Sequence, residues 1–188
     1  MILERYTTYC KFYLRRIILI YNLTRMEKWI TEEYLKYNIH SPGDINIEKI
    51  ADIYNVIVWK FPMEARYDIF DNRKFIVINS QSSPEIQREQ FFHELCHVLF
   101  HVGHQSNMNE PFRELLEWEA DNFVLYALLP YFMIKQYDLT DEYIIHDLSN
   151  DFCVTPLLCQ KRLSQIKNRI QNNAMLASEK HLKYNIQK

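Results

Sequence analysis

The stretch HELCHVLFH, from His93 to His101, constrains this chain more than any other. Histidines four residues apart on an α-helix project from one side, so the ring nitrogens of His93 and His97 can meet a single ion. Glu94 then lies at the rim of the same site, where its carboxylate can take a proton from water. This is the logic of the zinc-binding motif H-E-x-x-H.

An ordinary buried helix rich in histidine is the alternative interpretation. A chain of this composition contains the motif by chance only roughly 0.02 times. The apolar flanks, Phe91-Phe92 and Val98-Leu99-Phe100, are typical of a helix packed in a core. The stretch therefore predicts bound Zn²⁺, with His93 and His97 as ligands and Glu94 as the catalytic base.

A catalytic zinc ion needs a third protein ligand, and the motif does not supply it. In one known arrangement the ligand is a histidine six residues after His97, but that position is Gly103. Three histidines along one helix cannot all reach one ion, so we expect His101 to be a helix C-terminal residue instead. The remaining source is an acidic residue of a later helix, in EWEADNF at 117–123.

Helical geometry leaves Glu117 and Glu119 as alternatives for this ligand. Glu117 and Asp121 lie four residues apart on one face, which suits a ligand and a second carboxylate that orients a ligand histidine. Glu119 projects nearer the apolar side of the helix, which mildly favours it as the buried acid. A solvated acidic face without any metal is the simpler interpretation of all three.

Composition excludes several other classes of protein. Two glycines, Gly43 and Gly103, cannot form a glycine-rich phosphate loop. The net charge of −2 combines basic ends with an acidic middle, unlike a protein that coats nucleic acid. The four cysteines form no C-x-x-C pair, which favours a reducing, cytoplasmic location. The apolar run at 17–21 is too short to cross a bilayer, so no membrane partner is expected.

The hydrophobic pattern predicts an α+β fold with a small sheet of about three strands. Residues 1–25 are expected to be a dispensable extension, and 172–188 a polar tail. Between them, 26–171 form one domain whose C-terminal part, about 140–171, is a helix-turn-helix-like pair. Strands are predicted at 56–61, 66–70 and 74–79, with a turn at Asp71-Asn72, and long helices at 84–101 and 112–129.

The segment QREQFFHELCHVLFH followed by EWEADNFVLYALLP resembles the ImmA/IrrE-type zinc metallopeptidases, whose pattern is roughly RFxxAHELGHxLLH, a variable loop and ExEANxFAxxLLMP. The resemblance extends over about residues 26–171 and implies a zincin-like fold. In this family the zinc-binding acid lies three residues before the alanine, which implies Glu117 as ligand, with Asp121 behind it and Glu119 as the alternative. Cys96 and Asp121 depart from the family's glycine and asparagine.

The resemblance also implies a function: an intracellular zinc endopeptidase of bacteria or their mobile elements that cleaves a helix-turn-helix repressor. The strand at 74–79 is expected to offer an edge to an extended substrate, and Tyr67 is a weak candidate for stabilising the oxyanion. The alternative is a DNA-binding or regulatory protein with a non-proteolytic metal site. It would use the basic residues of the last helix, Lys161, Arg162, Lys167 and Arg169, which a solvated basic face explains more simply.

Overall fold

The computed structural model describes residues 21–101 and 109–186, with side chains through 176. Within these residues no helix is long and apolar enough to cross a membrane. The fold is α+β, as predicted. The elements in chain order are α1 (Arg25–Lys36), a 3₁₀ turn (Pro42–Asp44), α2 (Ile47–Tyr54), β1 (Val56–Phe61), β2 (Arg66–Phe70), β3 (Arg73–Asn79), α3 (Pro84–Phe100), α4 (Glu110–Leu128), α5 (Tyr131–Ile134), α6 (Ile144–Phe152) and α7 (Pro156–Ile186).

The described strands form one three-stranded sheet in the order β1-β3-β2. β1 runs parallel to β3, and β2 runs antiparallel to it. The turn between β2 and β3 is Asp71-Asn72, with φ angles of 49° and 58°. Two consecutive left-handed residues are what a two-residue type I′ hairpin requires, and Asp and Asn tolerate that conformation. The predicted strands and hairpin are confirmed.

The prediction that strand 74–79 offers a free edge is wrong, because β3 is hydrogen-bonded on both sides. Its buried run Ile76-Val77-Ile78 suits a central strand covered on both faces. β2 is the edge strand on the hairpin side of the described sheet, and it contacts α3. Tyr67 of β2 lies opposite Ile76, on the same face of the sheet.

Local signals set the start of both long helices. The side chain of Ser83 caps α3 by accepting a hydrogen bond from the Ile86 N–H, and that of Asn109 caps α4 by accepting from the Phe112 N–H. α3 packs against β3, β2 and α4. Phe91, Phe92 and Leu95 of α3 are each at most 1% exposed. The motif helix is therefore held rigidly between the sheet and α4.

Structural features extend across both of the boundaries predicted from the sequence. Tyr21, within the predicted extension, is buried and stacks on Tyr131. α7 continues to Ile186, past the predicted start of the polar tail at 172. The first 20 residues lie outside the described residues, and the division of the chain into domains stays a prediction.

Candidate metal centre

The ring nitrogens of His93 and His97 converge on one point, as their spacing on α3 predicts. Their Nε2 atoms lie 3.2 Å apart. Glu117, on α4, approaches both rings: its Oε2 is 3.1 Å from His93 Nε2, and its Oε1 is 3.6 Å from His97 Nε2. Each of these three side chains offers one donor atom, and these atoms lie within 4.8 Å of one another, close enough to share a metal ion.

The spacing of the three donors can be compared with that around a tetrahedral ion. Ligands about 2.0–2.1 Å from zinc at tetrahedral angles are separated by about 3.3 Å. The two ring nitrogens are 3.2 Å apart, close to that value, and each has a different oxygen of the Glu117 carboxylate 3.1 or 3.6 Å away. Two imidazoles and one carboxylate are also a donor set that zinc accepts. The residues therefore fit such an ion.

The protonation of the site suits metal binding and proton transfer. Burial lowers the pKa of His97 to about 3, and the neighbouring His93 and His101 act in the same direction. The imidazole is therefore neutral and keeps a lone pair for a ligand bond. Burial raises the pKa of Glu94 to about 7, and the Glu117 charge adds to this effect, while His93 opposes it. A carboxylate with a pKa near neutrality can both accept and return a proton.

Two further acids of α4, Glu119 and Asp121, contact histidines of α3. Asp121 Oδ1 lies 3.3 Å from His93 Nδ1, where a carboxylate that orients this ring is expected. Glu119 contacts His101 instead of the donor group, with Oε2 3.2 Å from His101 Nε2. His101 is the C-cap residue of α3, and its Nδ1 lies 2.7 Å from His97 Nδ1. The sequence did not predict this contact, although the four-residue spacing of the two histidines was a signal for it.

Tyr67 brings the edge strand β2 to the same site. Its ring stacks on that of His97, with centroids 5.4 Å apart and planes inclined by 18°. Burial raises the pKa of Tyr67, and the charges of Glu94 and Glu117 add to the effect. The hydroxyl is therefore protonated at neutral pH and available as a hydrogen-bond donor.

A cavity of about 610 Å³ lies beside the donor group. His93 and Glu94 form part of its wall, Glu64 contributes from the connection between β1 and β2, and Leu158 contributes from α7. This volume lies in the range of ligand-binding clefts. The cavity therefore offers room for a bound group beside Glu94.

Two of the four basic residues that suggested DNA binding point into the protein. The Arg162 side chain is fully buried and donates to Glu27 at 2.7 Å. Arg169 is partly buried and donates to the same carboxylate. Their charges are engaged in packing α7 onto α1, so only Lys161 and Lys167 of this set are exposed. This arrangement speaks against a DNA-reading role for α7.

Residues 56–164, which include every residue of the donor group, match Peptidase_M78, the IrrE N-terminal-like domain. The chain belongs to this family. The predicted resemblance is thus confirmed, and membership in the M78 family indicates a metallopeptidase-type function.

Two relatives come from Bacillus subtilis (strain 168). The phage-like element PBSX protein XkdA is 34% identical over 164 residues, which cover 86% of this chain and 81% of XkdA. The uncharacterized protein YqaB is 27% identical over 146 residues, 77% of this chain and 85% of YqaB. The solved structure of a Mycobacterium tuberculosis transcriptional regulator superposes with a TM-score of 0.57 at 16% identity, over 76% of this chain and 47% of that one. This likeness shows a shared fold, and the chain spans about half the length of that regulator.

Proposed function

We propose that the protein is a zinc-dependent endopeptidase. The observation that carries the proposal is the convergence of His93, His97 and Glu117 on one site, with Glu94 next to them in the motif. Two ligands on the H-E-x-x-H helix and an acidic ligand on a following helix make a zincin-like site. When bound, the zinc ion supplies a Lewis acid that polarises the scissile carbonyl and lowers the pKa of water.

The protein's own residues supply the proton transfer, the stabilisation of the oxyanion and the orientation of the His93 ring. Glu94 accepts the proton of the attacking water and passes it to the leaving amine, for which a pKa near 7 is well suited. The hydroxyl of Tyr67, whose ring stacks on His97, donates a hydrogen bond to the oxygen that becomes negative during attack. Asp121 holds the His93 ring from behind.

The edge strand β2 supports recognition of an extended peptide. Its outer edge is unpaired within the described sheet, and its second residue, Tyr67, stacks on His97. A peptide that adds to this edge as a further strand would be held by backbone hydrogen bonds alongside the donor group. Backbone hydrogen bonds depend little on the sequence of the peptide. The cavity lined by Glu64 and Leu158 would therefore select among its side chains.

The substrate class we propose is a helix-turn-helix transcriptional repressor of a phage or another mobile element. The similarity to XkdA, a protein of a phage-like element, supports this setting. A repressor acts in the cytoplasm. The free thiols of Cys96, Cys153 and Cys159 are consistent with that reducing compartment.

The decisive experiment replaces Glu94 by Gln, which keeps the size of the side chain but cannot accept a proton. Zinc content and melting temperature should stay near wild type, while cleavage of a helix-turn-helix repressor substrate should fall by at least ~10²-fold. Glu85→Gln, the same change in the first turn of α3, is the control and should cleave normally. Wild-type protein without a bound transition metal after zinc-replete expression, or a Glu94→Gln variant that cleaves normally, would refute the proposal.

A further inference from the structure

The two ring nitrogens of His97 have different neighbours. Nε2 faces His93 and Glu117, whereas Nδ1 lies 2.7 Å from Nδ1 of His101. Two imidazole nitrogens at that distance form a hydrogen bond only if one carries a proton and the other a lone pair. The contact therefore fixes the relation between the tautomers of the two rings.

Ligand binding by His97 decides the direction of this hydrogen bond. Since Nε2 must present a lone pair to a metal, the proton of neutral His97 is on Nδ1, which donates to His101 Nδ1. Neutral His101 then carries its proton on Nε2, which lies 3.2 Å from Glu119 Oε2. The carboxylate accepts this proton in a hydrogen bond, so each nitrogen of His101 has a partner of the matching kind.

Burial makes this chain hard to replace by water. The side chains of His97 and His101 are each 3% exposed, and that of Glu119 is 39% exposed. On the other ligand histidine, His93, the corresponding acid Asp121 is 76% exposed, so water competes with that contact. His101 is the C-cap of α3, where its backbone N–H donates to the His97 carbonyl and holds the two residues together.

We propose that Glu119 and His101 are positioning residues that act in series on His97. Through His101, the Glu119 carboxylate holds His97 as the Nδ1–H tautomer, with Nε2 directed at the site shared with His93 and Glu117. This inference rests on the proposed zinc site and gives Glu119 a role distinct from that of a ligand. Partners behind ligand histidines typically contribute about 10–100-fold to metal affinity.

Zinc affinity, measured by competition with a chromophoric chelator, tests the series. His101→Phe keeps a buried ring but removes both nitrogens, and Glu119→Ala removes the acceptor. Each should weaken zinc binding by about 10–100-fold, while Glu114→Ala, at an exposed position of the same helix, should leave it unchanged. Because Glu119 acts only through His101, the double variant should bind zinc no more weakly than His101→Phe alone. Fully additive losses would overturn the series.

A conservative replacement and a spectroscopic measurement separate positioning from packing. In His101→Gln, the amide oxygen can accept from His97 and the amide N–H can donate to Glu119, so this variant should recover most of the affinity lost in His101→Phe. Long-range ¹H–¹⁵N NMR of the metal-free protein should show His97 as the Nδ1–H tautomer in wild type and as a mixture in His101→Phe.

The outcomes distinguish the two proposals. If wild-type protein binds zinc while His101→Phe and Glu119→Ala bind it equally well, the inference is wrong and the proposed function stands. An Nε2–H tautomer of His97 in metal-free wild type would also overturn the inference. If wild type binds no zinc, the proposed function fails, whatever the NMR measurement shows.

Discussion

Arg162 donates a hydrogen bond to Glu27 at 2.7 Å across 135 positions of sequence, and both side chains are buried. Arg169 and the hydroxyl of Tyr21 contact the same carboxylate. Arg162 also donates to the Leu129 carbonyl at the end of α4. One buried ionic cluster thus joins α1, α4 and α7. It attaches the long terminal helix α7 to the rest of the domain that contains the candidate metal centre.

Glu27→Gln should strongly destabilise the fold. The change leaves Arg162 and Arg169 buried or half-buried without a negative partner, and breaking a buried pair in this way costs roughly 3–5 kcal/mol. Urea denaturation gives the free energy of unfolding. Glu32→Gln, at an exposed position of the same helix, should change it by less than about 0.5 kcal/mol. Equal stability of the two variants would show that the cluster contributes little.

The same cluster predicts how stability depends on pH. Burial alone would raise the pKa of Glu27, but the Arg162 charge and hydrogen bonds from Thr24, Tyr21 and Arg162 outweigh it and lower the pKa to about 2. The folded-state pKa is thus below the ordinary value of 4.5, so the unfolded chain binds more protons between these values. The stabilisation, about 3 kcal/mol, is present above pH ~4.5 and is lost as the pH falls towards 2.

Urea denaturation between pH 2 and 6 checks this dependence. Other acids also titrate in this range, so the informative quantity is the difference between wild type and Glu27→Gln. The two proteins should be similar in stability near pH 2, and the difference between them should grow as the pH rises to about 4.5 and stay constant above it. A difference that stays constant with pH would mean that Glu27 has the same pKa in the folded and unfolded states.

Removal of residues 1–25 should destabilise the protein more than removal of 1–20. The shorter deletion keeps Tyr21 in the cluster and Thr24 as the N-cap of α1, where a capping box with Glu27 is formed. Loss of a cap costs about 1 kcal/mol, and the buried Tyr21 hydrogen bonds add to that. Thermal denaturation of the two truncated proteins measures the difference, and equal melting temperatures would support the boundary predicted at Met26.

Features with a local cause could be predicted from the sequence. The hairpin follows from alternating strands around Asp71-Asn72, and the paired histidines of α3 follow from four-residue spacing. Features that depend on distant partners could not. The central place of β3 depends on pairing with β1, and the burial of Arg162 depends on Glu27, whereas arginine by itself predicts exposure.

Residue-by-residue reasoning from the sequence also could not decide whether Glu117 or Glu119 is the third ligand. Helical phase favoured Glu119 as the buried acid, because it cannot anticipate that His101 lies between this acid and His97. In the structure each of the two acids has a histidine nitrogen within 3.2 Å. What distinguishes them is which nitrogen they face, and that depends on how α4 crosses α3.

The acids of α4 should therefore differ in their effect on zinc. Glu117→Ala removes one of three proposed ligands and should cost more zinc affinity than Asp121→Ala or Glu119→Ala, each expected near 10–100-fold. Chelator competition and elemental analysis of the purified variants give the order. A larger loss for Glu119→Ala than for Glu117→Ala would exchange their assigned roles.

Tyr67→Phe should separate the hydroxyl of this residue from its ring. The phenyl ring keeps the stacking on His97, so zinc affinity and KM should stay near wild type. The lost hydrogen-bond donor should lower kcat by roughly 10²-fold, the scale of a removed oxyanion donor.

Tyr67→Leu also removes the stacking on His97, so the zinc affinity of this variant should fall as well. Tyr143→Phe, which removes an exposed hydroxyl, is the control and should cleave normally. If Tyr67→Phe raises KM but keeps kcat, the hydroxyl binds the substrate equally well before and during attack, and another group stabilises the oxyanion.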